Sequence, residues 1–273
     1  MSKSCIMSPL YHRDLDIGSN FIREYNKHFD DDNLWLIFSD KQETLDMYEK
    51  VRDGNLKYNA AVCTEKLDVS KKPISQKKIW GAKEVFSNTD CKYVAVVDID
   101  SLFVAHKDLD KLFEERVNRK IIYASGSTNH SIINNVGRDM AQRFFNKEDV
   151  AKLDKITHGF TQYFWFNDVP IYERETFYEW LKYIDYDNKK DRLLYTTFDY
   201  MIYMYYLLVT EQWKLEVIPN AVITDKGSFL ETQHIQDKNN FKRVFEMIKP
   251  MWIKDPIEDE SMPDVFMRVH VNR

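Results

Sequence analysis

Two aspartates follow an apolar, strand-like run at residues 93–97. Asp98 and Asp100 come directly after this run, with a single residue between them. Side chains i and i+2 of an extended segment point to the same side, so we expect the two carboxylates to face one point. Carboxylates held so close repel each other unless a cation lies between them, and hard oxygen ligands suit Mn²⁺ or Mg²⁺. The spacing predicts a divalent-cation site; a strand end followed by an Asx turn is the alternative.

Glycine is too sparse for the familiar phosphate-binding loops. The chain has 7 glycines in 273 residues, and the closest pair, Gly126 and Gly137, is eleven residues apart. Dinucleotide turns and P-loops need glycines two to five residues apart, because their backbone takes positive φ and approaches phosphate closely. Both loop types are therefore excluded, and any nucleotide phosphate must be held by other means.

Charge and composition narrow the class of protein further. The 39 Lys+Arg against 44 Asp+Glu give a net charge of −5, which argues against nucleic-acid binding. No apolar run reaches the roughly 20 residues of a membrane span, and the N-terminus lacks the apolar region of a signal peptide. The 3 cysteines are an odd number without C-x-x-C spacing. These features predict a cytoplasmic protein without a transmembrane segment, with a peripheral position at the membrane surface as an open alternative.

The elements that must position the aspartates alternate in type along the first half of the chain. Strand-like runs lie at residues 5–7, 34–38, 60–63, 93–97 and 121–124, with helical patterns at 15–29, 43–51 and from Ser75 onward. Such alternation predicts an α/β fold with a mostly parallel central sheet and helices on both faces, whose ligands gather at the carboxyl ends of the strands.

The second half is less regular. It contains helical patterns at 134–145, 173–183, 198–209 and 240–248, and strand-like runs at 161–166 and 215–218. Without repeats or a linker, residues 1–273 are predicted to form a single domain. Its donor half would cover 1–127 and its acceptor half 128–273.

The sequence around Asp98 and Asp100, after about ninety residues of alternating strands and helices, resembles the D-x-D motif of nucleotide-sugar-dependent glycosyltransferases with the A-type (GT-A) fold. In those enzymes the motif binds Mn²⁺ or Mg²⁺ on the donor diphosphate. The resemblance implies a GT-A-like three-layer sandwich and transfer of a sugar from a UDP- or GDP-type donor to a hydroxyl of a glycan or glycolipid.

The resemblance also implies a nucleotide site at the ends of the first two strands. There Tyr11 would stack on the base, Arg13 would reach a phosphate, and Asp40 would accept a hydrogen bond from the base. The alternative for Tyr11 and Arg13 is an ordinary surface loop. For Asp40 it is a helix cap.

Two lysines stand near a predicted helix start. Lys77 and Lys78 follow Ser75, which we interpret as the N-cap, by two and three residues. Positive charge there opposes the helix dipole by about 0.3–1 kcal/mol, and a bound anion resolves the conflict. A helix start is also a phosphate site that needs no glycine loop. We therefore predict that Lys77 contacts the nucleotide; a solvated basic stretch is the alternative.

A catalytic acid is expected at the head of the apolar helix at 198–209. Asp199, Tyr203 and Tyr206 recur at i, i+4 and i+7, so this polar stripe is predicted to face the cleft. In similar glycosyltransferases an acid at such a helix start deprotonates the acceptor hydroxyl. Asp199 is therefore the predicted base; an ordinary helix-start residue is the alternative.

Further site residues lie in the second half. Trp165, Asn167 and Asp168 end the run at 161–166 and are predicted to contact sugar, with a turn into Pro170 as the alternative. Many enzymes of the A-type fold complete the metal shell with a C-terminal histidine, which implies His270 here; an ordinary tail histidine is the alternative. His234 is the reserve candidate and His158 the next.

Two other functions fit the same residues. Haloacid-dehalogenase-like phosphatases also carry D-x-D after a strand, which would make Asp98 a nucleophile and Asp100 an acid/base. Their motif normally opens the chain, whereas here it arrives at residue 98. A non-catalytic nucleotide-sugar or glycan-binding module is the third possibility.

Overall fold

A computed structural model describes residues 3–29, 31–67, 74–99, 101–103, 108–124, 131–161, 170–194, 196–217, 231–235 and 266–271. Within these ranges the side chains at 102, 123–124, 131–134, 217, 231–235 and 266–271 are outside the description.

Helices and strands are numbered in chain order. The strands are β1 (Ser4–Pro9), β2 (Leu34–Phe38), β3 (Asn59–Val62), β4 (Tyr93–Val96), β5 (Ser101–Phe103), β6 (Ile121–Ala124), β7 (Ile171–Glu173), β8 (Lys214–Val217), β9 (Glu231–Ile235) and β10 (Phe266–Val271). The helices are α1 (Leu15–His28), α2 (Lys41–Val51), α3 (Ile74–Asn88), α4 (Leu109–Arg119), α5 (Ser131–Phe144), α6 (Lys147–Ile156), α7 (Arg174–Tyr183), α8 (Tyr186–Lys189) and α9 (Asp199–Val209).

The central sheet has the strand order β3-β2-β1-β4-β7. The first four strands are parallel, and β7 runs antiparallel to β4. Strands β1 and β4 are buried along their whole length, which explains why both are apolar runs instead of alternating patterns. The carboxyl ends of the four parallel strands meet at one edge, as the alternating pattern predicts.

Helices cover both faces of this sheet. Alternate residues of β1 enter different cores: Cys5 and Met7 pack with α3, α7 and α9, whereas Ile6 packs with α1, α2 and α4. The predicted α/β class, with a mostly parallel sheet between two helical layers, is therefore confirmed.

Smaller sheets flank the central one. Strand β10 lies between β5 and β9, antiparallel to β5 and parallel to β9, and β6 pairs with β8. Across the described ranges, no helix combines the length and apolarity needed to cross a bilayer.

The predicted elements of the first half are found with shifts of a few residues at their ends. The exception is the start of α3, which begins at Ile74, so Ser75 lies inside the helix and is not its N-cap. Helices α4, α6 and α8 and strands β5, β7, β9 and β10 were missed. The predicted strand at 161–166, apart from Thr161, and the predicted helix at 240–248 lie outside the described residues.

Candidate functional site

The first turn of α3 lies against the carboxyl ends of the central strands. This close approach depends on Gly81, where an added Cβ would lie 2.6 Å from Cγ1 of Ile37 and 3.2 Å from Sδ of Met7. Glycine thus lets the helix backbone pack directly on β1 and β2. The lysines one turn earlier are held at the strand ends as a result.

Lys77 connects the ends of β1 and β2. Its ammonium donates to the carbonyl oxygen of Leu10 and, over 2.8 Å, to Oγ of Ser39. It also lies 4.0 Å from the ring centroid of Tyr11. The side chain is fully buried, with 0% exposure, and this burial lowers its pKa to about 8. Lys77 therefore lies beneath the predicted nucleotide site and not at an open helix start.

The other predicted nucleotide residues surround Lys77. Tyr11 is half-buried, and Arg13 is exposed with its guanidinium carbon 5.9 Å from the Tyr11 ring centroid. Asp40 is the N-cap of α2 and accepts a hydrogen bond from the Glu43 amide over 2.9 Å. The capping role weighed as the alternative for Asp40 is therefore present.

Lys78 reaches the end of β4. Its ammonium lies 2.7 Å from Oδ1 of Asp98, whose side chain is 23% exposed. The pair joins the helix start to the first aspartate of the D-x-D sequence. Asp98 thus already has a cationic partner at the strand end.

A second contact from α3 leads to the predicted base. The Ser75 hydroxyl donates to the carbonyl of Thr197 over 2.6 Å and accepts from the Asp199 amide over 3.2 Å. Ser75 thereby binds an amide at the start of α9, although it does not cap its own helix. Lys78, one turn further along α3, places its charge near the same carboxylate.

Asp199 is a buried acid with a defined hydrogen bond. It is 2% exposed, and its Oδ2 accepts from the Tyr172 hydroxyl over 2.6 Å. Burial raises the pKa of Asp199, while the positive charge of Lys78 and the hydrogen bonds from Tyr172 and Ser75 oppose that rise. A raised pKa makes a carboxylate a stronger base, so burial offsets the acidifying effect of the helix dipole.

The expected polar stripe of α9 does not line an open cleft. The Tyr203 ring packs edge-on against Tyr172 at 4.9 Å and against Trp180 at 5.3 Å between centroids. The Tyr206 ring lies 5.2 Å from that of Tyr183, also on α7. The prediction that Asp199, Tyr203 and Tyr206 share one face of α9 is correct. That face, however, packs against β7 and α7, and Asp199 lies at its end.

Strand β10, which carries the predicted histidine ligand, pairs with the strand that follows the D-x-D sequence. In the antiparallel pairing with β5, Arg268 lies opposite Ser101. His270 is opposite His234 in the parallel pairing with β9. Both histidine side chains lie outside the description, as do Asp100, Trp165, Asn167 and Asp168. Among the side chains that are described, no three His, Cys, Asp or Glu groups cluster as a metal site.

Two site residues have little sequence signal. Tyr172 belongs to a strand of 3 residues, too short to give a periodic pattern. Glu43 accepts from the amides of His12 over 2.7 Å and Ser39 over 2.6 Å and so ties together the loops after β1 and β2. Its position three residues after Asp40, as in a capping box, is the signal that would have found it.

No family model and no curated protein matches the chain. Similar solved structures include the mannosyltransferase Ktr4p from S. cerevisiae in complex with GDP, at 13% identity, covering 76% of this chain and 66% of that chain, with TM-score 0.42. Core-mannan synthase A from Aspergillus fumigatus, in its Mn/GDP form, is 11% identical over 81% of this chain and 73% of that one, with TM-score 0.42. Mouse xyloside xylosyltransferase 1 is 8% identical over 97% of both chains, with TM-score 0.47.

Glycosyltransferases, the class that the D-x-D sequence resembles, are thus among the structures similar to this chain. This chain spans about two thirds of the length of the yeast structure.

Proposed function

We propose that the protein is a metal-dependent glycosyltransferase that moves a sugar from a nucleoside diphosphate donor to a hydroxyl of a glycan or glycolipid. The observation that carries the proposal is the pairing of Asp98 with Lys78, 2.7 Å apart, at the carboxyl end of a central parallel strand. Tyr11 lies at the end of the adjacent strand β1. This edge therefore offers an aromatic face for a base beside a charged position for a diphosphate.

The residues at this edge fit a divalent cation. Asp98 supplies a partly exposed carboxylate at the strand end. Asp100 follows it in sequence, and His270 belongs to β10, which pairs with the strand directly after Asp100. Carboxylate oxygens with one imidazole are suitable ligands for Mn²⁺ and acceptable for Mg²⁺. Such an ion, when bound, neutralises the charge that develops on the departing diphosphate.

The donor nucleotide is assigned to the loops after β1 and β2. Tyr11 offers its ring to the base, Arg13 is exposed for a phosphate, and Asp40 retains carboxylate acceptor capacity beyond its cap bond. Of the two lysines, Lys78 is beside the diphosphate position, because its ammonium lies at Asp98 whereas that of Lys77 is buried.

The acceptor is assigned to the region between Asp98 and Asp199. In an inverting transfer, the acceptor oxygen bonds to the anomeric carbon as the bond to the diphosphate breaks, and Asp199 takes the hydroxyl proton. In a retaining transfer, Asp199 positions the acceptor. We place Trp165, Asn167 and Asp168 as sugar contacts because they precede Pro170, whose carbonyl accepts from the Val96 amide over 2.8 Å beside Asp98.

The test is a donor screen with product analysis. The protein is incubated with Mn²⁺ and UDP- or GDP-sugars, with and without glycan acceptors, and the released products are separated. Release of nucleoside diphosphate with transfer of the sugar supports the proposal. Release of inorganic phosphate from simple phosphate esters, with intact sugar nucleotides, indicates the phosphatase instead. Binding of sugar nucleotides without turnover indicates a binding module.

A further inference from the structure

Lys77 is the most deeply buried cation among the described residues near the strand ends. Its ammonium has three neighbours: the Leu10 carbonyl, the Ser39 hydroxyl at 2.8 Å, and the Tyr11 ring, with the centroid at 4.0 Å. The carbonyl and the hydroxyl belong to two different loops, those after β1 and β2. The ammonium therefore fixes the spacing of these loops and presents its remaining charge to the aromatic ring.

Acidic groups stabilise the charge from several sides. Glu43, Asp14 and Asp40 all favour the protonated form of Lys77. Glu43 also binds the amides of His12 and Ser39 on the same two loops. The ammonium is thus held inside a network that includes both walls of the proposed nucleotide site.

An ammonium at this distance attracts the negative face of a tyrosine ring, and the attraction is stronger where water is excluded. The contact restrains the Tyr11 ring in one orientation, and a restrained ring loses less entropy when a planar group stacks on it. Phosphate cannot use the same ammonium, because Lys77 is completely buried.

We propose that Lys77 is a positioning residue that holds the Tyr11 ring as a stacking platform for the base of a nucleoside diphosphate. This inference rests on the proposed function. It gives Lys77 a role in binding the base, through Tyr11, and none in binding the phosphates. It predicts that loss of the ammonium weakens binding of a nucleoside diphosphate and leaves binding of inorganic pyrophosphate unchanged.

The test compares ligands with and without a base. Isothermal titration with UDP, GDP and inorganic pyrophosphate, each with Mg²⁺, is carried out on wild type, Lys77→Met, Tyr11→Leu and the double variant. Lys83→Met is the matched control, since Lys83 lies on the same helix, 5.7 Å from the Tyr186 ring, away from the strand ends. Lys77→Met is expected to weaken UDP or GDP about tenfold and pyrophosphate less than about twofold. The double variant should bind no more weakly than Tyr11→Leu, because the two residues act through one ring.

A measurement on the wild type keeps the inference testable if Lys77→Met does not fold. Raising the pH from about 7 to about 8.5 deprotonates much of Lys77 while the bases stay largely neutral, so the affinity advantage of UDP or GDP over pyrophosphate should shrink. Equal losses for nucleotide and pyrophosphate in Lys77→Met, or an advantage independent of pH, would overturn the inference. The inference would also be overturned if wild type bound UDP and GDP no more tightly than pyrophosphate. If wild type bound no diphosphate at all, the proposed function itself would be overturned.

Discussion

The hydrogen bond between Tyr172 and Asp199 sets the strength of the proposed base, and Tyr172→Phe tests it. The bond is 2.6 Å long, both side chains are almost completely excluded from solvent, and the acceptor is a carboxylate. A hydrogen bond to a charged group contributes about 1.5–3 kcal/mol. Because Tyr172 stabilises the ionised form, its removal raises the pKa of Asp199 further and leaves more of the carboxylate protonated at low pH.

The assay is the pH dependence of kcat/KM for sugar transfer. On the acidic side of the profile, where activity requires ionised Asp199, Tyr172→Phe should lower kcat/KM by about 10- to 100-fold, from the free energy above. At alkaline pH, where Asp199 is ionised in both proteins, the difference should be small. The profile should therefore move toward higher pH.

The matched control is Tyr186→Phe. Tyr186 is buried, and its hydroxyl oxygen has no hydrogen-bond partner among the described residues. Its loss removes the same atom without affecting a bond to Asp199. The role of Asp199 as a base tuned by Tyr172 would be refuted if the acidic side of the kcat/KM profile did not move in Tyr172→Phe. It would also be refuted if that side moved equally in Tyr172→Phe and Tyr186→Phe.

Three further predictions concern charges at the ends of α3. Burial lowers the pKa of Lys77 from 10.5 to about 8, so between these pH values the unfolded chain binds more protons than the folded protein. The free energy of unfolding in urea should therefore rise with pH across this range by about 1–3 kcal/mol in wild type relative to Lys77→Met. Lys78→Met removes the ammonium beside Asp98 and should tighten Mn²⁺ binding to the nucleotide-free protein. Titration calorimetry measures this affinity, and weaker Mn²⁺ binding in Lys78→Met would count against a cation site at Asp98. Arg174 donates to the carbonyl at residue 86 in the last turn of α3 and to those at residues 89 and 91 after it. Arg174→Met should therefore cost about 2–4 kcal/mol in urea unfolding, whereas Arg143→Met, which loses a partly exposed ion pair, should cost less than about 1 kcal/mol.

The strands of the first half were predictable because most of them lie in the buried centre of the sheet. Strands β1, β2 and β4 lie in the buried part of the parallel sheet, and their continuous apolar stretches stand out in the sequence. The position of Asp98 at the carboxyl end of β4 follows directly from the end of such a run. Lys77 and Lys78 were predicted near a helix start, but their contacts at the strand ends were not.

Contacts between distant segments were not predictable in the same way. Ser75 resembles an N-cap by type, but its hydroxyl binds the start of α9, more than 120 residues away. The spacing of Tyr203 and Tyr206 gives a shared face without saying what covers it. Tyr172 contacts Asp199 from a strand too short to be recognised. Lys77 was predicted near the nucleotide, yet only the packing of α3 on the sheet shows that its ammonium is beneath Tyr11.

The claim that a divalent cation on Asp98 and Asp100 holds the donor diphosphate is tested most directly by titration calorimetry. UDP and GDP are titrated with and without Mn²⁺ into wild type, Asp98→Ala, Asp100→Ala and the control Asp90→Ala, an exposed aspartate just before the amino end of β4. We predict that at least one nucleotide binds wild type and Asp90→Ala only with Mn²⁺, and that binding is lost in the other two variants. Metal-independent binding, or wild-type affinity in Asp98→Ala and Asp100→Ala, would contradict the claim.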